Sequence, residues 1–478
     1  MAVIWLAISE DKCEESDMAQ QIASRTLALL AIMSLAGCAT AQPTLVPDAP
    51  ASSVTASSPA PTAPWMGPLG PAKTTIGGKG GQIVKVTNLE SEGPGSLREA
   101  LQVEGAKIIV FEVGGVIDLG GDNLNVATSN VTIAGQTAPS PGITLIKGGM
   151  VITGNDVIVQ HLRVRPGDLG EAYRSGRDID AITTISASNV IVDHCSLSWA
   201  TDENLSASGP RFTGDTPDEW RDGTSHSIAY TNNIIAEGLS HSTHAKGEHS
   251  KGSLIHDNVS DILIYGNLYA HNFERSPLFK GGVHGAIVNN FIYNPGQRGV
   301  HYNLQGLEWG DVPAETGRMD LVGNVMRAGP STSDGLPLLM IGGDGPLDLH
   351  MTGNVAQDQW GAALPDSGRY TSNAAAGLRE VEPSAIIADL PIFAAGQVEG
   401  YVLMNAGARP WDRDAVDVRI LADTAEGRGE IIDSQEQVGG YPELAATYRE
   451  FDPSQWHLDT MEPATQDALD AGLKAKGT

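Results

Sequence analysis

Three cations recur at an interval that suits stacked coils. Lys251, Arg275 and Arg298 are separated by 24 and 23 residues. If this interval is one turn of a solenoid, their side chains line up on one wall, and such a line would bind a linear polyanion. Taken alone, Lys251 and Arg298 are more simply read as solvated surface residues.

Carboxylates recur at a similar interval. Asp180 and Asp202 lie 22 residues apart, and Glu203 follows Asp202 directly. Clustered carboxylates repel one another, so they are usually dispersed at the surface or held together by a cation. Hard oxygen ligands of this kind suit Ca²⁺. An exposed turn explains the same spacing equally well.

A group of histidines surrounds these residues. His241, His244 and His249 flank Lys246, and His271 lies further along the chain. The spacing is not that of an HExxH zinc motif, and no thiol pairs with it, so zinc is the minority interpretation. We expect Lys246 and His271 to line a sugar-binding groove instead.

Short alternating segments carry all of these residues. Several of them end in asparagine, with successive steps of 34, 23, 34 and 30 residues, at Asn233, Asn267, Asn290, Asn324 and Asn354. Strands at this period without helical patterns predict an all-β parallel β-helix. The asparagines fit left-handed bends and amide ladders between coils, which is a structural role. Cys195 is expected to be an inward-facing core thiol.

The predicted coil occupies residues 65–356 and has an irregular C-terminal extension. We expect the strands to stop near Gln357 and residues 357–478 to pack along the outside of the coil. Ser96 and Glu99 have the form of a capping box, which predicts a short helix through Gln102 that covers the first coil.

The overall charge restricts the partners. The formal net charge is -28, with 30 Lys and Arg against 58 Asp and Glu, which makes nucleic acid an unsuitable partner. The segment 241–300 is a local exception, with five basic and four acidic residues. An acidic polymer would therefore bind there.

The N-terminal region predicts export. An apolar run at 26–36 is too short to span a bilayer and is followed by Gly37 and Cys38, which resembles a bacterial lipobox. Residues 1–38 are thus expected to be a lipoprotein signal, with Met18 as the start, and 39–64 an Ala/Pro/Ser/Thr linker. We predict a secreted or surface lipoprotein of a bacterium, a monomer that touches the membrane only through a lipid on Cys38. An ordinary cleaved signal is the alternative.

Two motifs carry a family resemblance. The segment VIVDHCS at 190–196 is similar to a WIDH-like element, and RSPLFK at 275–280, followed by the Asn pair at 289–290, is similar to an Arg-x-Pro-x-x-Arg loop and its following rung. With them, the chain from about residue 65 to 354 resembles the pectate lyases, polysaccharide lyases with a right-handed parallel β-helix.

The resemblance implies roles for several residues. Arg275 would be the catalytic base and Lys280 the substitute for the second arginine. Lys251 would match a substrate-binding lysine and is the alternative base. Asp180 and Asp202 would be calcium ligands, and Glu203 would replace the acidic ligand expected at Ser206. We expect neighbouring cations, Lys251, Lys280, Arg298 and Ca²⁺, to lower the pKa of Arg275.

These observations predict a secreted, calcium-dependent lyase that cleaves polygalacturonate or a related uronate polymer by β-elimination. A β-helical glycoside hydrolase that uses Asp180 with Asp202 or Glu203 is one alternative. A noncatalytic carbohydrate-binding solenoid at the cell surface is another.

Overall fold

The computed structural model describes residues 67–371 and 377–464, which belong to one compact unit. The predicted signal at 1–38, with Met18 and Cys38, and the linker at 39–64 lie outside the described residues. None of the helices in the described ranges combines the length and the apolar character that crossing a membrane requires.

Short strands make up most of the described chain. In chain order they are β1 (Gln82–Val86), β2 (Lys107–Phe111), β3 (Val113–Asp118), β4 (Leu124–Val126), β5 (Val131–Ala134), β6 (Ile143–Ile146), β7 (Met150–Ile152), β8 (Val157–Gln160), β9 (Leu162–Arg165), β10 (Ile182–Ile185), β11 (Ser188–Asp193), β12 (Ser196–Ser198), β13 (Leu205–Ser208), β14 (His226–Thr231), β15 (Ile234–Ala236), β16 (Leu254–Ile255), β17 (Ser260–Tyr265), β18 (Leu268–Ala270), β19 (Leu278–Lys280), β20 (His284–Val288), β21 (Phe291–Tyr293), β22 (Val300–Leu304), β23 (Gly317–Val322), β24 (Val325–Arg327), β25 (Leu339–Gly343), β26 (Leu347–Thr352), β27 (Val355–Gln357), β28 (Ser367–Arg369), β29 (Leu378–Glu380), β30 (Thr447–Tyr448), β31 (Trp456–His457) and β32 (Glu462–Pro463).

Helices are short and few in the same ranges. The α-helices are α1 (Leu97–Gln102), α2 (Pro217–Gly223), α3 (Gly306–Trp309), α4 (Ala395–Asn405) and α5 (Ala415–Glu426). Single 3₁₀ turns occur at Gly70–Ala72, Gly135–Thr137, Ala385–Ile387, Gln435–Val438 and Pro453–Gln455.

The strands form three long sheets, to which each full coil contributes one strand apiece. Sheet A has the order β1-β2-β5-β8-β11-β14-β17-β20-β23-β26-β29, sheet B runs from β4 to β28, and sheet C runs from β3 to β27 with β30 at its edge. Successive coils pair in parallel, as in β11 with β14 and β16 with β19. Among the described strands, antiparallel pairing joins β3 to β30 and β31 to β32. The predicted all-β parallel β-helix is confirmed.

An amide ladder joins the coils at the bend from sheet A to sheet C. The side chains of Asn233, Asn267, Asn290, Asn324 and Asn354 are hydrogen-bonded in sequence, with an amide-to-oxygen distance of 3.0 Å in every pair. The predicted ladder is therefore present. The left-handed backbone lies one residue earlier than predicted, at Asn232, Gly266, Asn289, Gly323 and Gly353.

Alternation along sheet B decides which side chains face the inside of the coil. Ile255, Phe279 and Tyr302 come from successive strands and lie in the buried apolar core, which also contains Cys195 as predicted. Because side chains alternate along a strand, Lys280 beside Phe279 points outward. Burial of the apolar stacks stabilises the coil, and the outer face is left for polar residues.

The ladders extend further than predicted at the C-terminal end. Strands β28 and β29 continue sheets B and A beyond Gln357, whereas β1 and β2 lie within the predicted range 65–356. The Ser96 hydroxyl caps α1 by accepting from the Glu99 amide, and α1 contacts β1 and β4.

The C-terminal segment packs on the outside of sheet C. Helix α4 contacts β21 and β24, and an apolar cluster joins α4 and α5 to sheet C. Two fully buried arginines on β9, Arg163 and Arg165, pair with carboxylates at the start of α5. The Arg165 guanidinium lies 2.5 Å from Asp414 and 2.9 Å from Asp417.

Removal of the Asp417 carboxylate should weaken this attachment strongly. An Asp417→Ala variant leaves Arg163 and Arg165 with too little buried negative charge, so the free energy of unfolding should fall by about 3–5 kcal/mol in chemical denaturation. Asp459→Ala is the control, because its pair with Lys79 is exposed and should contribute little. Equal effects of the two substitutions would contradict this assignment.

Candidate active site

The predicted ionic residues meet where the chain enters sheet B. Glu203, Lys251 and Glu274 are bridge partners on successive coils, and the pairing of β10 with β13 puts Asp180 beside Glu203. Adjacent coils are roughly 4.8 Å apart in a parallel sheet. The result is a column of charged residues that we call the ionic column: Asp180, Glu203, Lys251 and Glu274.

Glu274 binds all three of the regularly spaced cations. Its carboxylate lies 2.8 Å from the Lys251 Nζ, 3.0 Å from the Arg298 Nε and 3.8 Å from the Arg275 Nε. Burial opposes ionisation, but Lys251 and Arg298 together hold the pKa of Glu274 well below its usual range. The spacing of the sequence predicted the three cations. It did not predict Glu274, the buried anion that pairs with them.

The acidic end of the column forms a second group. Carboxylate oxygens of Asp180, Asp202 and Glu203 lie within 4.8 Å of one another. Burial and the charges of Glu203 and Asp202 raise the pKa of Asp180 well above its ordinary value, and burial and Asp202 raise that of Glu203. The Ser206 hydroxyl, at the position where an acidic ligand was expected, donates to Asp180 at 2.5 Å.

This acidic group fits a hard divalent cation. The donors are all carboxylate oxygens, which Ca²⁺ prefers, and burial followed by the neighbouring carboxylates raises the pKa values of Asp180 and Glu203. Asp180, Asp202, Glu203 and Glu274 also outnumber Lys251, Arg275 and Arg298.

Arg275 lies between the two groups. It lies three residues before the start of β19 and has a left-handed backbone, and its guanidinium donates to the Glu203 carboxylate. Burial lowers the pKa of Arg275, but Glu203 and Glu274 outweigh it and the net shift is upward. The predicted decrease in this pKa is not found, because the charges around Arg275 are mostly negative.

Two histidines cover Asp202. The His249 Nε2 lies 2.6 Å from the Asp202 Oδ1, and the rings of His244 and His249 stack with centroids 3.7 Å apart and planes 9° apart. Ring nitrogens of His244 and His249 and a carboxylate oxygen of Asp202 lie within 4.8 Å of one another, so this group could also hold a metal ion. Lys246 lies in the same loop, where its amide donates to the His244 Nδ1.

Two of the predicted substrate-binding residues lie elsewhere. Lys280 is on the outer face of β19, and it pairs with Glu308 rather than with the ionic column. His271 is 1% exposed and packs against Tyr293, Asn294 and the C-terminal Gly429. The expectation that His271 lines the groove is wrong, because the C-terminal segment covers it.

The sequence is similar to that of curated fungal proteins. A probable pectate lyase C from Aspergillus terreus is 33% identical over 399 residues, which cover 80% of this chain and 82% of that protein. The chain belongs to the pectate lyase family. A probable pectate lyase C from Emericella nidulans is 36% identical over 270 residues, covering 56% of this chain and 54% of that protein. No family model matches the chain.

A solved pectate lyase mutant of Bacillus subtilis is also similar to this pectate lyase family member. It has a TM-score of 0.49 and 14% identity, and the alignment covers 73% of this chain and 98% of that one. The assignment of the fold rests on the strand pairing described above.

The family motif at 190–196 is part of the scaffold in this pectate lyase. Asp193 is fully buried, accepts from the Thr231 hydroxyl at 2.6 Å and contacts the His194 Nδ1 at 2.8 Å. The His194 ring stacks on His161, which in turn contacts Trp411 of the C-terminal segment. This motif joins the coil to that segment.

Proposed function

We propose that the chain is a calcium-dependent polysaccharide lyase that cleaves polygalacturonate, or a related uronate polymer, by β-elimination. Family membership supports the reaction class. The observation that carries the proposal is the meeting of Lys251, Arg275 and Arg298 on Glu274, directly beside a three-carboxylate group.

The reaction requires removal of a weakly acidic proton from an acidic sugar. In a uronate unit the C5 proton lies beside a carboxylate, so its removal places charge next to an existing anion. A base takes this proton, the electron pair forms the C4–C5 double bond, the C4–O4 bond breaks, and the leaving oxygen gains a proton. Preorganised cations stabilise the developing charge, and no water is consumed.

The carboxylates of Asp180, Asp202 and Glu203 would hold Ca²⁺. Bound there, the ion supplies positive charge against the substrate carboxylate. Lys251 and Arg298, fixed by Glu274, would orient the same polyanion from the other end of the column. Unesterified polymer is then the preferred substrate, since methyl esters carry no charge.

Glu203 connects cation binding to Arg275. Its carboxylate belongs to the acidic group and also accepts from the Arg275 guanidinium. As a cation ligand, Glu203 would hold Arg275 less strongly, and its upward effect on the pKa of Arg275 would be smaller. In its neutral form, after loss of one proton to solvent, Arg275 would accept the C5 proton, and neutral Lys251 is the alternative base.

Secretion remains part of the proposal. The apolar run at 26–36 supports export, and the following Cys38 supports a lipid anchor. The relatives described above are fungal, so a bacterial lipoprotein rests on the lipobox alone. We also propose that the protein is a monomer.

Purified protein on polygalacturonate should form an unsaturated product that absorbs ultraviolet light, and a chelator should abolish this absorbance. Asp180→Asn should weaken calcium binding, measured by calorimetry, by at least about tenfold. The matched control is Asp178→Asn, an exposed carboxylate near the group, which should bind calcium normally. New reducing ends without absorbance would support a hydrolase, and binding without cleavage would support a noncatalytic solenoid. Either result would refute the lyase.

Removal of Arg275 should affect turnover rather than binding. Arg275→Ala is expected to lower kcat by about 10²–10⁴-fold, the usual contribution of a general base. Arg298→Ala is the comparison, because Arg298 shares the Glu274 partner but should mainly raise KM. If Arg275→Ala keeps its kcat while Lys251→Ala loses it, the base is Lys251 and the role of Arg275 is refuted.

A further inference from the structure

The loop that carries the two stacked histidines, residues 240–249, covers Asp202, and we call it the histidine loop. The His249 Nε2 lies 2.6 Å from the Asp202 Oδ1, and the His244 Nε2 lies 3.9 Å from the same oxygen. An ionised carboxylate only accepts hydrogen bonds, so His249 donates to Asp202. The His244 Nδ1 accepts from the Lys246 amide at 3.1 Å, so a neutral His244 carries its proton on Nε2. Both rings therefore direct an N–H group towards Asp202.

The base of the histidine loop is closed by its own backbone. The His249 amide donates to the Ser240 carbonyl at 2.9 Å. On its outer edge, the Ser242 carbonyl accepts from the Arg174 amide, also at 2.9 Å. The position of the His249 ring therefore depends on where Ser240 is held.

The C-terminal segment holds Ser240. The Ser240 amide donates to the Ile432 carbonyl at 2.8 Å. The Ile432 side chain is 6% exposed and packs in an apolar cluster with Trp199 and Leu239, the residue before Ser240. A residue that follows α5 thus anchors the start of the histidine loop.

Three hydrogen bonds in series connect the C-terminal segment to Asp202, and we call this series the relay. The bonds join Ile432 to Ser240, Ser240 to His249, and His249 to Asp202, at 2.8, 2.9 and 2.6 Å. Ser240 and His249 are both buried, so water competes little for these bonds. The relay leaves Asp202 little freedom to turn.

We infer, on the basis of the proposed function, that His249 is a positioning residue for Asp202 as a calcium ligand, and that the C-terminal segment sets the calcium affinity of the acidic group through the relay. A carboxylate has two oxygens, so a hydrogen bond from His249 leaves Asp202 able to bind a cation. A ligand that is already ordered loses less freedom when the cation binds. The C-terminal segment would then be part of the cation site as well as a cover for the coil.

Calcium calorimetry on the purified full-length protein tests the role of His249. His249→Phe keeps the ring stack on His244 but has no donor, and it should raise the Kd for calcium about 10–100-fold, as loss of such a ligand partner usually does. His249→Gln restores a side-chain N–H and should recover most of the affinity. An unchanged calcium Kd in His249→Phe would overturn the inference. If the same variant lost zinc binding instead, the histidines would themselves be metal ligands.

A pair of isoleucine variants tests the contribution of the C-terminal segment. Ile432→Ala should raise the Kd for calcium several-fold. Ile420→Ala is the matched control, because Ile420 is a fully buried isoleucine of α5 that packs on sheet C in a different cluster. It should lower thermal stability without changing the Kd. In the His249→Phe background, Ile432→Ala should raise the Kd no further, because the relay is already broken.

The other outcomes separate the relay from simpler explanations. Equal losses of calcium affinity in the two isoleucine variants would indicate general loosening, and additive losses in the double variant would place the coupling through Trp199. Either result would overturn the relay. Thermal unfolding checks that each variant is folded, and His249→Ala replaces His249→Phe, with the same expectation, if the latter does not fold. Calcium binding that follows these expectations without any unsaturated product would refute the proposed lyase and leave the relay intact.

Discussion

The buried contact between Glu274 and three cations is the interaction on which the site depends. Lys251, Arg275 and Arg298 come from successive coils, and stacking brings these like charges close together. At such distances, repulsion between cations in a partly buried site is costly. Glu274 offsets that repulsion from inside the column. The strand register and the asparagine ladder keep these coils aligned, so the scaffold and the site have the same geometric origin.

The other end of the column has the opposite imbalance. Asp180, Asp202 and Glu203 lie close together, and burial followed by their neighbouring charges raises the pKa values of Asp180 and Glu203. A divalent cation would relieve this repulsion and make the whole column attractive to a polyanion. In the proposed function, substrate binding would therefore depend on the bound cation.

The period of the sequence was enough to predict the coil and the meeting of the three cations. It worked because residues one period apart become neighbours in a parallel β-helix. The direction of the pKa shift of Arg275 was not predictable, since it depends on Glu203 and Glu274 rather than on the cations that share its spacing. Apart from its position directly before Arg275, nothing in the sequence indicated that Glu274 is a buried anion of the site.

Contacts made by irregular segments could not be predicted from the sequence either. His271 is buried by a C-terminal residue more than a hundred positions away, and Asp202 is covered by His249 from a loop of unpredictable length. Glu308 reaches Lys280 from a long connection between strands. Periodicity describes the coil but carries no information about where such insertions fold back.

The most direct test of the account is the affinity for oligogalacturonate, measured with Arg275→Lys protein at constant ionic strength, with calcium and with chelator. This variant keeps the positive charge while impairing the proposed base. Binding should be much tighter with calcium, and uncharged methyl-esterified oligomers should show little calcium dependence. Equal affinity for the acidic oligomer with and without calcium would contradict the claim that a cation must complete the ionic column.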